Sequence, residues 1–260
     1  MKKNWTLKAA GILLALTLIT SCFVGGTFAK YVTKAEGTDK ARVARFGVVV
    51  SASDNNTFHT KYKTDDTDID TSKIEYSVSS SDTANLVAPG TKGDNVFHLG
   101  VSGTPEVAVK VSIVFNWSKD VFLKQGNYQD RTKTPYTGNF TLDANYTPVV
   151  FTLTKMGEAA PVATGTLDVI KAEIEKLSGD YAPGTNLANE IGTYTLSWAW
   201  AFEGNDKADT LLGDLAAMGD NAKTQLWKWD TTDNKFTTFA DSDFSTDIEF
   251  TFSITVTQID

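Results

Sequence analysis

Hydrophobic alternation with a period of two runs through this chain, and few architectures other than stacked antiparallel sheets accommodate it. From Val107 to Trp117 every odd position is apolar (Val107, Val109, Val111, Ile113, Phe115, Trp117), with Lys110, Ser112 and Asn116 between them. Tyr194, Leu196, Trp198, Trp200 and Phe202 alternate with Thr195, Ser197, Ala199 and Ala201. Ile248, Phe250, Phe252, Ile254 and Val256 alternate with Glu249, Thr251, Ser253, Thr255 and Thr257. Phe97, Leu99 and Val101 give a shorter run, and further strands are expected over 45–52, 74–78 and 149–153. Successive side chains of a strand point to opposite faces, so each run predicts a strand buried on one side and wet on the other. The expected fold class is all-β, an antiparallel β-sandwich. Five or six inward residues per strand, at about 1.5–3 kcal/mol each, would build its core.

Two stretches change period. Leu167, Ile170, Ile174 and Leu177 share one helical face and end before Gly179. Ala208, Leu211, Leu212, Leu215 and Ala216 share another, with Asn205 and Asp206 as caps and Gly219 as a stop. Both fall between strands and predict helical insertions near 166–178 and 206–218. The polar segments 51–72 and 119–145 read as long loops or decorated hairpins. No repeat or linker divides the chain, so 45–260 is expected to be one sandwich domain.

The first thirty residues obey different rules. Lys2, Lys3 and Lys8 give a positive start to an apolar run from Ala9 to Val24, interrupted by Gly11, Thr17, Thr20, Ser21 and Cys22. Gly25-Gly26-Thr27-Phe28-Ala29 then supplies small residues, and cleavage is expected between Ala29 and Lys30. The run is near the lower limit for crossing a bilayer and no charged cluster follows at once, so a removed export signal is expected rather than a span. Ile19-Thr20-Ser21-Cys22 also matches a lipoprotein box, and lipidation at Cys22 would tether the chain to the membrane instead.

Charge and cysteine content narrow the function. The 29 residues ahead of the cleavage site carry three Lys and no acid, so removing them takes the net charge from −8 to −11. Such a chain has no basic stripe for nucleic acid and little attraction to anionic lipid. Cys22 is the only cysteine. The mature domain is therefore expected to hold together by packing alone, without a thiol nucleophile or a cysteine metal cluster.

Four short motifs resemble those of the TasA/camelysin family of secreted proteins from Gram-positive bacteria. Residues 25–33, Gly-Gly-Thr-Phe-Ala-Lys-Tyr-Val-Thr, are similar to that family's signal junction. Residues 41–48, Ala-Arg-Val-Ala-Arg-Phe-Gly-Val, are similar to its first strand, and Leu86-Val87-Ala88-Pro89-Gly90-Thr91 to its Pro-Gly turn. The block from Trp198 to Thr210 resembles a sub-branch signature. The resemblance implies a jelly-roll-like sandwich that self-associates into fibres of the biofilm matrix, with other matrix proteins as further partners. It also implies that a segment near the mature N-terminus of one subunit completes the sheet of the next. Here the candidate donor lies within 30–44, with Tyr31, Val32, Ala35, Ala41 and Val43 as its apolar residues.

Other motifs carry weaker chemistry. Asp66, Asp68 and Asp70 have calcium-loop spacing, but Thr71 and Ser77 stand where an EF-hand needs Gly and Glu, so a solvated acidic loop is expected. Asn205, Asp206 and Asp209 could offer oxygen ligands to calcium, and helix capping accounts for them equally well. His59 and His98 are the only histidines and belong to no zinc motif. No nucleophile elbow or phosphate-cradling glycine loop occurs, so no catalytic residue, metal or cofactor is expected. Trp117, Trp198 and Trp200 are in phase with the apolar faces and read as core. The tryptophans together could form a carbohydrate-binding face, and Trp227 and Trp229, which flank Lys228 in a polar hairpin, are the candidates for an exposed contact patch. The expected function is a secreted, non-enzymatic subunit of an extracellular matrix fibre. The alternative is a monomeric surface-attached binding protein or adhesin.

Overall fold

The computed structural model describes residues 42–54, 57–63, 70–130, 140–202, 204–219, 226–230, 232–238 and 240–259. The chain divides into two units, Met1–Val43 and Ala44–Asp260. In the second, the first strands are β1 (Val48–Asp54), β2 (Lys61–Lys63), β3 (Tyr76–Ser79), β4 (Lys92–Gly103) and β5 (Val109–Lys119). Next come β6 (Phe122–Leu123), β7 (Gly126–Asp130), β8 (Phe140–Leu142), β9 (Val149–Lys155) and β10 (Ala163–Gly165). Helix α1 (Leu167–Glu175), strand β11 (Gly179–Tyr181), helix α2 (Leu187–Glu190), strand β12 (Gly192–Trp200) and helix α3 (Asp206–Met218) follow. The chain ends with β13 (Leu226–Asp230), β14 (Lys235–Thr238), β15 (Phe244–Ser245) and β16 (Glu249–Gln258).

The fold is mostly β, and the pairings are antiparallel. One sheet runs β1–β4–β12–β9–β10, a second β11–β5–β16 and a third β14–β13–β7–β8, with small pairs β15–β6 and β2–β3. The alternating runs pair apolar with apolar. Val111, Ile113 and Phe115 lie opposite Val256, Ile254 and Phe252, while Leu196 lies opposite both Phe97 and Leu153. Aromatic rings join the first two sheets. Phe97 of β4 meets Phe252 of β16 edge-on at 4.2 Å, and Phe250 packs against both Phe115, at 5.4 Å, and Phe151, at 6.3 Å. Gly103 permits the turn out of β4: a Cβ there would lie 2.0 Å from the Gly47 carbonyl oxygen.

Both expected helices are present, and each buries most of the stripe read from the sequence: Leu167, Ile170 and Ile174 in α1, and Ala208, Leu211, Leu212 and Leu215 in α3, while Leu177 lies beyond α1 and Ala216 is exposed. Two expectations change. A third, four-residue helix, α2, precedes β12 and is capped by Asn186, whose side chain accepts from Ala188 N. Phe202, in phase with β12, is 72 % exposed because the strand ends at Trp200. Of the two readings of the segment 119–145, loops or decorated hairpins, the second applies: it contains β6 and the antiparallel pair β7–β8.

Helix α1 takes its cap from a distant segment. Thr166 at its N-cap makes no side-chain cap bond. The buried Asp120 carboxylate supplies one instead, accepting from Leu167 N and, at 2.9 Å, from Val121 N. Burial pushes the Asp120 carboxyl up to about 6; these N–H bonds oppose the shift and the nearby Asp168 charge adds to it. A raised carboxyl favours the protonated native state. Its contribution is therefore fully present below the ordinary carboxylate pKa and is lost as pH rises through about 6. Asp120→Asn keeps an acceptor but carries no charge. It is expected to flatten the fall in stability between about pH 4 and 6 and to add about 1–2 kcal/mol at pH 7.5. Urea midpoints of both proteins across that range check this.

Candidate functional site

The long, exposed sheet edges of the domain lie on one side of its core. At the other side the outermost strands, β10 and β11, have three residues each, and α1 packs over β5, β9 and β10. Short or covered edges resist further pairing. The opposite margin is different: β16 has ten residues, β1 has seven, and each pairs on one side only among the described residues.

The hydrogen-bond phase of β16 follows from Ile259, whose N–H donates to Ala108 O at 3.0 Å. In an antiparallel ladder alternate residues exchange both bonds with their partner, so Thr251, Ser253, Thr255 and Thr257 bond to β5. Phe252, Ile254, Val256 and Gln258 direct their N–H and C=O groups away from it. Their backbone has no partner among the described residues.

The side chains show the same incompleteness. Phe252, Ile254 and Val256 face inward yet are only half-buried, whereas their partners Phe115, Ile113 and Val111 are fully buried. Across the core, Val50 and Ala52 of β1 pair with Val101 and Leu99, both fully buried, but Val50 itself is 42 % exposed and Ala52 is exposed. The Phe97–Phe252 contact places β16 against β4, the neighbour of β1. The two edges thus border an open apolar seam with a row of free main-chain groups along one lip. Chemically, such a seam accepts an extended segment: the backbone supplies hydrogen bonds and the half-buried side chains supply burial.

The signal-junction and candidate donor residues named from the sequence lie mostly outside the described residues. Ala29, Lys30, Cys22, Tyr31, Val32, Ala35 and Ala41 all lie there, and Val43 is exposed. Asp66 and Asp68 lie there too. Asp70 holds a turn: its carboxylate accepts from Ser72 Oγ at 2.6 Å and Ser72 N at 3.1 Å, and pairs with Lys73.

The acidic group at α3 is structural. Asn205 caps the helix, accepting from Ala208 N at 3.2 Å, and Asp206 is exposed in its first turn. Asp209 points inward and accepts from Tyr146 Oη at 2.8 Å and Trp200 Nε1 at 3.1 Å, tying α3 to β12. Burial raises its carboxyl, against which both bonds act, and burial first, then Asp209, pushes the Tyr146 phenol up to about 12. Tyr146 escaped the sequence reading, since nothing local connects it to a residue 63 positions away. His59 is exposed, its ring 5.8 Å from Tyr62, and His98 is half-buried on β4 between Ser53 and Thr195. Among the described residues no three His, Cys, Asp or Glu side chains are grouped to hold a metal.

The tryptophans separate as their phase requires. Trp198 and Trp200 are buried, Trp198 Nε1 donating to Thr57 O at 2.7 Å, and half-buried Trp117 donates to Asp168 at 3.1 Å. Trp227 and Trp229 are half-exposed on the hairpin β13–β14. Among the described residues no helix is long and apolar enough to cross a membrane. No protein-family model, no curated protein and no solved structure matches this chain.

Proposed function

We propose that this protein is a secreted, non-enzymatic subunit of an extracellular matrix fibre, built on a jelly-roll-like β-sandwich and assembled by strand addition. The observation that carries the reading is the seam beside β16, where a ten-residue edge has an outward main chain without a partner among the described residues and inward side chains that are half-covered. The occupant is the segment from Lys30 to Val43 of a second copy. It follows the junction after Ala29, and of its apolar residues Tyr31, Ala35, Ala41 and Val43 are at odd positions, so an extended conformation puts them on one face with Val32 on the other. Ala35 and Ala41 are small, which suits a strand laid beside Phe252 and Ile254. Bound there, it would give Phe252, Ile254 and Val256 their missing partners and cover Val50 and Ala52.

Comparison of the mature chain beginning at Lys30 with one beginning at Arg42 tests this. The longer chain is expected to polymerise, as seen by light scattering and electron microscopy. The shorter one should stay monomeric with an unchanged circular dichroism spectrum, because folding draws on apolar burial within Ala44–Asp260. Undiminished fibres from the shorter chain would rule out this donor. Absence of fibres from the longer one would favour a monomeric surface-binding protein.

A further inference from the structure

The third sheet contains a cleft that strand addition leaves unused. Strands β13 and β7 pair at Leu226–Asp130, Trp227–Gln129 and Lys228–Tyr128, and there the ladder stops. Beyond that point β13 continues with β14, Trp229 opposite Phe236, while β7 continues with β8, Asn127 opposite Thr141. The two strands splay, and a cavity of about 510 Å³ opens between Trp229 and Asp230 on one side and Gln125, Gly126 and Asn127 on the other. That volume is within the roughly 300–1,000 Å³ of small-molecule sites.

We propose that this cleft binds a short oligosaccharide that is uncharged or cationic. The lining gives the reason. Trp229 supplies a flat apolar surface on which the C–H face of a sugar ring can stack, and Phe236 steadies it edge-on at 5.0 Å. Around it are groups that pair with hydroxyls. The Asn127 side-chain oxygen accepts from Thr141 Oγ1 at 2.7 Å, which fixes the amide and leaves its NH₂ to donate. Asp143 and Asp230 add carboxylates. Lys228 lies over Gly126, where a Cβ would come within 2.9 Å of its Cε, and reaches Asp243 at 2.7 Å. That pair neutralises the one lysine among the described lining residues, and the remaining carboxylates there repel an anionic ligand. Among the described residues they are not grouped to hold a metal. Trp229 and Leu142 are the large apolar residues of the described lining, too little for a lipid or another wholly apolar ligand.

The test uses the mature protein, with tryptophan fluorescence and calorimetry against three probes: cello-oligosaccharides, chitosan oligosaccharides and oligogalacturonate. Saturable binding of one of the first two is expected, with none of the third. Trp229→Ala and, separately, Asn127→Ala should each weaken that binding by about tenfold or more while circular dichroism stays unchanged. Asn127 is exposed, so its variant decides the matter if Trp229→Ala does not fold. Three results would overturn the proposal: no binding of neutral or amino sugars at millimolar concentration, a preference for oligogalacturonate, or wild-type affinity in the folded variants.

Discussion

Val256→Pro is expected to abolish fibre growth without unfolding the domain. Val256 sits opposite Val111 at a position where β16 directs its N–H away from β5. Proline there removes no bond within the subunit; it removes one that an incoming strand needs, and its ring obstructs the approach. Proline is tolerated on edge strands when the missing N–H faces outward. The cost should stay near 1 kcal/mol, from lost packing of a half-buried valine. Thr255→Pro makes the control. Thr255 exchanges bonds with Ser112, so the same substitution one residue earlier breaks the ladder and should cost about 3 kcal/mol. Urea titrations followed by circular dichroism give the stabilities, and light scattering gives the growth rates. Fibres from Val256→Pro at the wild-type rate would remove this edge as the acceptor. A larger loss of stability for Val256→Pro than for Thr255→Pro would show the hydrogen-bond phase to be inverted.

How much was legible from sequence follows from what periodicity encodes. Alternation reports which face a side chain takes, and it located β5, β12 and β16 to within a few residues, together with the stripes of α1 and α3. It does not report how completely a face is covered. Phe115 and Phe252 occupy equivalent places in equally regular runs, yet one is fully buried and the other half-open: β5 lies against α1 as well as β16, whereas β16 has β5 as its one sheet neighbour among the described residues. Strand ends are equally opaque: the alternation runs on to Phe202, but Trp200 bonds to Thr91 and Gly90 and the next residues leave the sheet. The acids at α3 were read through their sequence neighbours, whereas Asp209 is explained by Tyr146 and Trp200. The hairpin at Trp229 was legible in the sequence, but its pairing with β7 was not, because the partner strand lies far back in the chain, in a polar segment. The outer edge of β16 was not legible either, since an edge is defined by the strand that is missing.

The same asymmetry predicts an order of stabilities for three aspartate substitutions. Phe115→Asp should leave no folded protein. It removes a fully buried ring stacked on Phe250, worth about 3–5 kcal/mol as a large-to-small change, and adds a carboxylate with no partner at a fully buried position. Against a typical total stability of about 5–15 kcal/mol, the sum is fatal. Phe252→Asp loses the edge-on contact with Phe97 at 4.2 Å, but its carboxylate can turn to water along the open seam. It should therefore unfold at a lower urea midpoint, about 2–3 kcal/mol less stable, and still show a cooperative transition. Thr251→Asp faces solvent and should lie within about 0.5 kcal/mol of the wild type. The middle variant carries the information. Folded but unable to polymerise, it would match a residue that is half-covered in the monomer and covered only when a second chain arrives. If Phe252→Asp instead proved as destructive as Phe115→Asp, the outer edge of β16 would already be shielded within one subunit, and the seam could not be where subunits join.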